Sequence, residues 1–303
     1  MTHISTHKIT QPAMQQIAQE AAQLLLDSRL NQTAHNSAIR LPKPLRPQTF
    51  DQAWLTQQAL TAQRAQTLLN PVVGWKCGLP FGQALQNKVV APIFKAGVQC
   101  QSPCAVVLQN GACAFEPELG FTLKHPLPAS KTAYTQEQIM AAIGHANLVL
   151  ELIENRYEPS TDNADNADNA DDLNAQPVSF YEQLADGLFH QGLWIGPRVP
   201  LDMAFNAGCI DFSLELKKSE SPNSTDTRTF SGQHPNLNPL APLFWLVDFL
   251  NQQGIDLPAG HMIITGSYAG LLTCPPNQTL TLSYGTLGKI VVSFVEQESK
   301  RSV

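Results

Sequence analysis

The chain has 303 residues, 43% of them hydrophobic and 15% charged, with a formal net charge of −6. That is enough for one large domain or two smaller ones with a sizeable core, and a weakly acidic chain without a Lys/Arg block argues against nucleic acid as the main partner. No apolar run reaches the roughly 18 residues of a membrane span, and the polar start "MTHISTHKITQPAMQQ" lacks the apolar segment of a signal peptide, so a cytoplasmic location is expected.

Residues 11–30, "QPAMQQIAQEAAQLLLDSRL", carry helical periodicity, and residues 50–69 read the same way across a Pro-rich connector, "RLPKPLRPQTF". From "VVGWKCGL" onward, short apolar or alternating runs lie between Gly, Pro and Asn punctuation. They predict strands at 72–77, 112–123, 147–155, 190–196, 209–217, 261–266, 279–284 and 288–295. Residues 136–146 predict a helix, as does "PLAPLFWLVDFLNQQG", which opens after Pro239 and stops at Gly254. Residues 159–176, with repeated Asp-Asn-Ala triplets, have no apolar face and predict a disordered insert; they lack the glycine and terminal glutamate of an EF-hand. The polar stretch "KKSESPNSTDTRTFSGQH" predicts a hairpin excursion. The expectation is an α+β chain, with a helical N-terminal segment over 1–70 and a β-rich catalytic domain over 71–303.

Six cysteines (Cys77, Cys100, Cys104, Cys113, Cys209 and Cys274) form no CxxC pair, which argues against a zinc site or a disulfide framework and for reduced thiols. The carboxylates carry more. In "AFEPELGFTL", Glu116 and Glu118 stand two apart in an apolar run, and a strand projects such residues from one face. Like charges that close resist ionisation unless water, an arginine, a shared proton or a metal compensates. Glu151 stands in a similar apolar run, "NLVLELIENRY". Two readings remain open: three acids facing solvent on a half-exposed sheet, or an all-oxygen site for a hard divalent cation such as Mg2+ or Mn2+. The serine of "TGSYAG" is misplaced for a G-x-S-x-G elbow, and neither G-x-G-x-x-G nor G-x-x-x-x-G-K-[ST] occurs.

The ordered set "VVGWKCGL", "FEPELGFTL", "LELIENRY", "LADGLFHQGLWIG", "QHPNLNPLAPLFWLVDFLNQQGIDLPAGHMIITGS" and "LGKIVVSF" resembles the fumarylacetoacetate hydrolase superfamily. More narrowly it is similar to the 2-keto-4-pentenoate hydratase and 4-oxalocrotonate decarboxylase branch, over roughly residues 10–296. The resemblance implies a mixed β-roll after the helical segment, a small 2-oxo acid substrate, Mg2+ or Mn2+ as cofactor and a homo-oligomer, with neither nucleic acid nor membrane as partner. It puts the metal ligands on Glu116, Glu118 and Glu151 and the active-site lysine on Lys76. Asp186 matches a further catalytic acid, although "ADG" stands here for A-D-N. Arg156, His234, Thr265 and Ser267 match substrate-side positions. Each also has a plain reading, as a salt bridge, a structural turn histidine or an ordinary turn. A second departure is that no acid lies between Lys76 and Glu116, where the branch usually has an aspartate, leaving Lys88, Lys95 or His190 as replacements. The implied activity is Mg-dependent hydration of a 2-oxo or 2-hydroxydienoate acid in aromatic-compound catabolism. Decarboxylation or C–C hydrolysis of a related 2,4-dioxo acid comes second, and a non-catalytic binder third.

Overall fold

The computed structural model describes residues 11–31, 40–81, 87–157, 177–218 and 221–297; the insert expected at 159–176 lies outside the described residues. In chain order the elements are α1 (Gln11–Asn31), α2 (Phe50–Leu68), β1 (Val72–Gly78), β2 (Val89–Phe94), β3 (Val98–Gln99), β4 (Cys104–Val106), β5 (Cys113–Leu123), α3 (Gln136–Ala142), β6 (Ile143–Ile153) and α4 (Phe180–Ala185). They continue with β7 (His190–Val199), α5 (Leu201–Phe205), β8 (Cys209–Lys218), β9 (Ser221–Gln233), α6 (Leu240–Gln252), β10 (Met262–Ile264), β11 (Leu272–Cys274), β12 (Gln278–Tyr284) and β13 (Lys289–Glu296). Helices and mixed sheets make this an α+β fold. Among the described residues no helix is long and apolar enough to cross a membrane.

The chain divides into two compact units, one of residues 1–69, 156–188 and 299–303, the other of 70–155 and 189–298. In the first, α1 packs on α2. Ala18, Ala21, Ala22, Leu25 and Leu26 recur at helical spacing and are buried, which gives α1 its apolar stripe. Thr49 caps α2 by accepting from the Gln52 N–H at 3.3 Å, and Ser179 and Glu182 cap α4 reciprocally.

The second unit holds two sheets. One runs β2–β1–β10–β5–β6–β7–β3, with β11 also paired to β5; the other runs β4–β13–β12–β8–β9. They meet through Phe115 and Phe294, whose rings stack at 5.7 Å, and through the buried Tyr284 hydroxyl, which donates to the Val149 carbonyl at 2.9 Å. The β1–β10 pairing is parallel and needs Gly74, because a Cβ there would lie 2.3 Å from the Met262 carbonyl oxygen.

The helices at 11–30, 50–69 and 239–254 and all eight expected strands are present, with shifted ends. Of the polar stretch, the described residues close β8 and supply β9, which pair antiparallel. The helix expected at 136–146 stops at Ala142 because the chain turns directly into β6. β2 was not expected, since Pro92 interrupts its apolar run; as the terminal strand of its sheet it tolerates the missing donor.

Candidate metal and active site

Strand register brings the three acids together. Glu116 of β5 pairs directly with Glu151 of β6, and Glu118 follows two residues on, so all three side chains leave one face. Their carboxylates offer ligand atoms within 4.8 Å of one another. On β1, Lys76 pairs with Ile264 of β10, which pairs with Gly120 of β5. Lys76 thus enters the same face, one row beyond Glu118. Its Nζ lies 2.5 Å from Glu151 Oε1, and His190 Nδ1 reaches the same oxygen at 2.8 Å. The Gly266 N–H donates to Glu118 Oε2 at 2.8 Å. Around them Ile93, Val149, Leu193, Met262 and Ile264 form an apolar floor. Glu118 and Glu151 are 2% and 1% exposed.

That burial decides the electrostatics. Burial, then the charge of Glu151, pushes Glu116 up to about 7 against the pull of Lys76. Burial and both other acids push Glu118 well above the carboxylate range, against the Gly266 N–H and Lys76. Burial also opposes the charge on Glu151, but Lys76 and His190 overcome it and hold this carboxylate down. Lys76 is the mirror image: burial disfavours its charge, yet Glu151, Glu116 and Glu118 together keep it an ammonium. Three ionised carboxylates would outnumber the one ammonium in an apolar setting, and the raised Glu116 and Glu118 show that without a cation the site avoids that surplus by holding protons. Oxygen-only donors with that surplus suit a hard divalent cation.

The loop after β10 braces Glu118. His234 is fully buried. Its Nδ1 accepts from the Asn236 N–H at 3.1 Å, so the proton sits on Nε2 and is donated to the Thr265 carbonyl at 3.1 Å. Thr265 Oγ1 lies 3.3 Å from the same nitrogen. Burial pulls His234 down to about 4, consistent with a neutral ring. Ser267 Oγ donates to the Gly270 carbonyl at 3.1 Å.

Asp186 and Arg156 fall in the helical unit and are brought onto each other. Arg156 Nε donates to Asp186 Oδ2 at 2.6 Å, and Arg29 Nη2 reaches Oδ1 at 2.5 Å. Although burial opposes its charge, the two guanidiniums hold Asp186 below the usual carboxylate range, which makes it a poor proton donor. The surrounding positive charge also shows at Arg64, which burial and then Arg29 and Arg156 bring down to about 9.

Two groups at the acid cluster have weak sequence signals. The Gly266 N–H is backbone and has none. In the sequence His190 stands only as one of three candidate replacements for the missing aspartate, with nothing to join it to Glu151.

No protein-family model matches the chain, and no curated protein does. Solved structures do. The 4-oxalocrotonate decarboxylase from Pseudomonas putida G7 complexed with magnesium and adipate aligns over 95% of this chain and 99% of its own, at 17% identity and a TM-score of 0.66. The same enzyme complexed with calcium and acetate gives 18% identity and 0.64 over the same shares. A putative fumarylacetoacetate hydrolase family protein from Yersinia pestis CO92 aligns over 75% of this chain and 94% of its own, at 16% identity and 0.47. At these identities the likeness is one of fold: this chain shares the fold of 4-oxalocrotonate decarboxylase, a member of the branch that its sequence motifs resemble.

Proposed function

We propose that this protein is a divalent-cation-dependent enzyme acting on a small 2-oxo acid or its enol, with hydration of a 2-hydroxydienoate such as 2-hydroxypenta-2,4-dienoate as its reaction. The observation that carries this reading is the convergence of Glu116, Glu118 and Glu151, with Lys76 bonded to Glu151, on one buried sheet face. The three acids would hold Mg2+ or Mn2+. When bound, the cation supplies Lewis-acid polarisation of a 2-oxo acid. Lys76, kept charged by its acidic neighbours, adds positive charge where an enolate oxygen develops, or a proton to it. We assign His234, Thr265 and Ser267 to shaping the loop that aims the Gly266 N–H at Glu118. Asp186 and Arg156 are assigned to holding the helical unit together. The mixed β-roll implied by the motifs and a homo-oligomer belong to the same proposal. The magnesium, calcium, adipate and acetate of the structural neighbours support a divalent cation and a small acid.

A second reading, decarboxylation of a related dioxo acid, is favoured by the likeness to a decarboxylase over 95% of this chain. Both reactions pass through an enolate, so the first test needs no knowledge of the substrate. Protein loaded with Mg2+ is incubated with several 2-oxo acids in D2O, and loss of the C3 proton signal is followed by NMR. Metal-dependent exchange is expected. Bound metal with no exchange from any of them would leave a binding protein. Product analysis with 2-hydroxypenta-2,4-dienoate and with 4-oxalocrotonate then separates hydratase from decarboxylase.

A further inference from the structure

Glu151 is held differently from Glu118. Glu118 takes a backbone N–H, whereas Glu151 takes two side-chain donors, and both fall on Oε1: Lys76 Nζ at 2.5 Å and His190 Nδ1 at 2.8 Å. A carboxylate so held has one oxygen committed and cannot rotate freely. Since the carboxylate accepts, Nδ1 carries a proton whether the imidazole is neutral or charged, so the contact does not depend on the charge of the ring.

The backbone is shaped to deliver this ring. His190 opens β7 opposite Ile153, two residues past Glu151, and the β6–β7 register shifts between Leu152 and Ile153. Immediately before it, Gly187, Leu188 and Phe189 have φ of 80°, 51° and 65°, three consecutive left-handed residues. For the two that carry a Cβ this conformation costs roughly 1–2 kcal/mol each. Such strain persists where the surroundings over-determine it, and it clusters at functional sites. The turn is anchored by the Glu154 N–H, which donates to the Phe189 carbonyl at 2.8 Å. The ring itself is 6% exposed.

Resting on the reading of the three acids as a cation site, we propose that His190 is a positioning residue for Glu151. With Lys76 it occupies Oε1, so that Oε2 is the oxygen presented to the cation. Lys76 serves the substrate side as well, whereas His190 supplies only the orientation. Groups that orient ligating side chains typically matter by about 10–100-fold in metal affinity.

The experiment titrates Mn2+ calorimetrically into metal-free wild type, His190→Phe and His190→Asn, with thermal melts of each metal-free protein. Phenylalanine keeps a ring and removes the donor; asparagine can return an amide N–H to the place of Nδ1. The expected result is Mn2+ binding weakened by about 10–100-fold in His190→Phe and restored to within a few-fold in His190→Asn, with melts of the two variants alike. A loss through general damage to the fold would instead follow the melting temperatures and would not be rescued by asparagine; that outcome overturns the proposal. So does wild-type affinity in His190→Phe. Should His190→Phe not fold, His190→Leu takes its place in the comparison. Wild type that takes up no Mn2+ overturns the cation site itself and is told apart because all the proteins then titrate alike.

Discussion

Glu116 and Glu151 stand directly opposite each other across the β5–β6 pair, a position where sheets ordinarily place apolar or oppositely charged partners and where like charges destabilise. Lys76 reaches Glu151 but leaves Glu116 pushed up to about 7. The sheet is thus built around a repulsion that a bound cation would relieve.

Cation binding should therefore register as stability. Mn2+ at about 100 times its Kd is expected to stabilise the protein by about 2.7 kcal/mol, read as a rise in thermal midpoint that EDTA reverses. Glu118→Gln should weaken Mn2+ binding strongly in a calorimetric titration. Unchanged binding in single Gln variants of all three acids would sink the assignment.

The pH dependence of the metal-free protein follows from Glu116. Its folded pKa, about 7, lies above its ordinary value of 4.5, so between these values the native state holds a proton that the unfolded state has released. Stability from this group is complete below the ordinary pKa and is lost as pH rises towards 7, by up to about 1.4 kcal/mol per pH unit. Urea unfolding of metal-free protein at pH 5, 6 and 7 should show the decline. Glu118, also pushed up, adds to the same decline, so Glu116→Gln should make it shallower without abolishing it, and saturating Mn2+ should reverse its sign, because the cation favours ionised ligands.

Lys76→Met separates ground-state binding from catalysis. Charge on an enolate oxygen develops during reaction, so at Mg2+ concentrations high enough to offset the lost Lys76 contact to Glu151, loss of the ammonium should leave oxalate binding within a few-fold. It should lower C3 proton exchange by about 100-fold to 1000-fold. Undiminished exchange in the variant would remove Lys76 from the mechanism and turn attention to Lys88 and Lys95.

Gly74→Ala tests the join between β1 and β10. A Cβ there would sit 2.3 Å from the Met262 carbonyl oxygen, and backbone must move to admit it. Destabilisation of about 1–3 kcal/mol or more is expected in urea unfolding. Weaker Mn2+ binding should accompany it, since Lys76 lies two residues along the displaced strand.

Asp186→Asn should destabilise for a different reason. It leaves Arg29 and Arg156 facing a neutral amide in a buried place, which typically costs about 3–5 kcal/mol. Chemical denaturation that finds the variant as stable as wild type would show that the pair of guanidiniums does not depend on this charge.

Much of this site is visible in the primary structure because burying a carboxylate is expensive. Glu116 and Glu118 stand out by their spacing in an apolar run, and Glu151 by being an acid in another. That Glu116 and Glu151 become cross-strand partners is not visible, because register between strands is set by the whole hydrophobic face and its turns. Lys76 has no local signature beyond its apolar neighbours, and its role is read from the resemblance. The two guanidiniums on Asp186 come from Arg29, far away in sequence, and Arg156; nothing in either segment names the other. Strand β2 is hidden by Pro92, and His190 reaches Glu151 only through a left-handed turn that Leu188 and Phe189 do not advertise.

The short strand β10 has a consequence for how the protein is made. Met262–Ile264 lies between β1 and β5, parallel to one and antiparallel to the other, so the strand bearing Lys76 joins the strand bearing Glu116 and Glu118 through a segment near the end of the chain. A ribosome that has passed residue 155 has already made Lys76 and all three acids, yet the nascent chain still lacks the piece that sets them side by side. Until it arrives, β1 and β5 keep facing edges open to other chains, and the late, long-range insertion makes for slow, high-contact-order folding. A stop codon between residues 155 and 262 would leave every proposed metal ligand in place and no site.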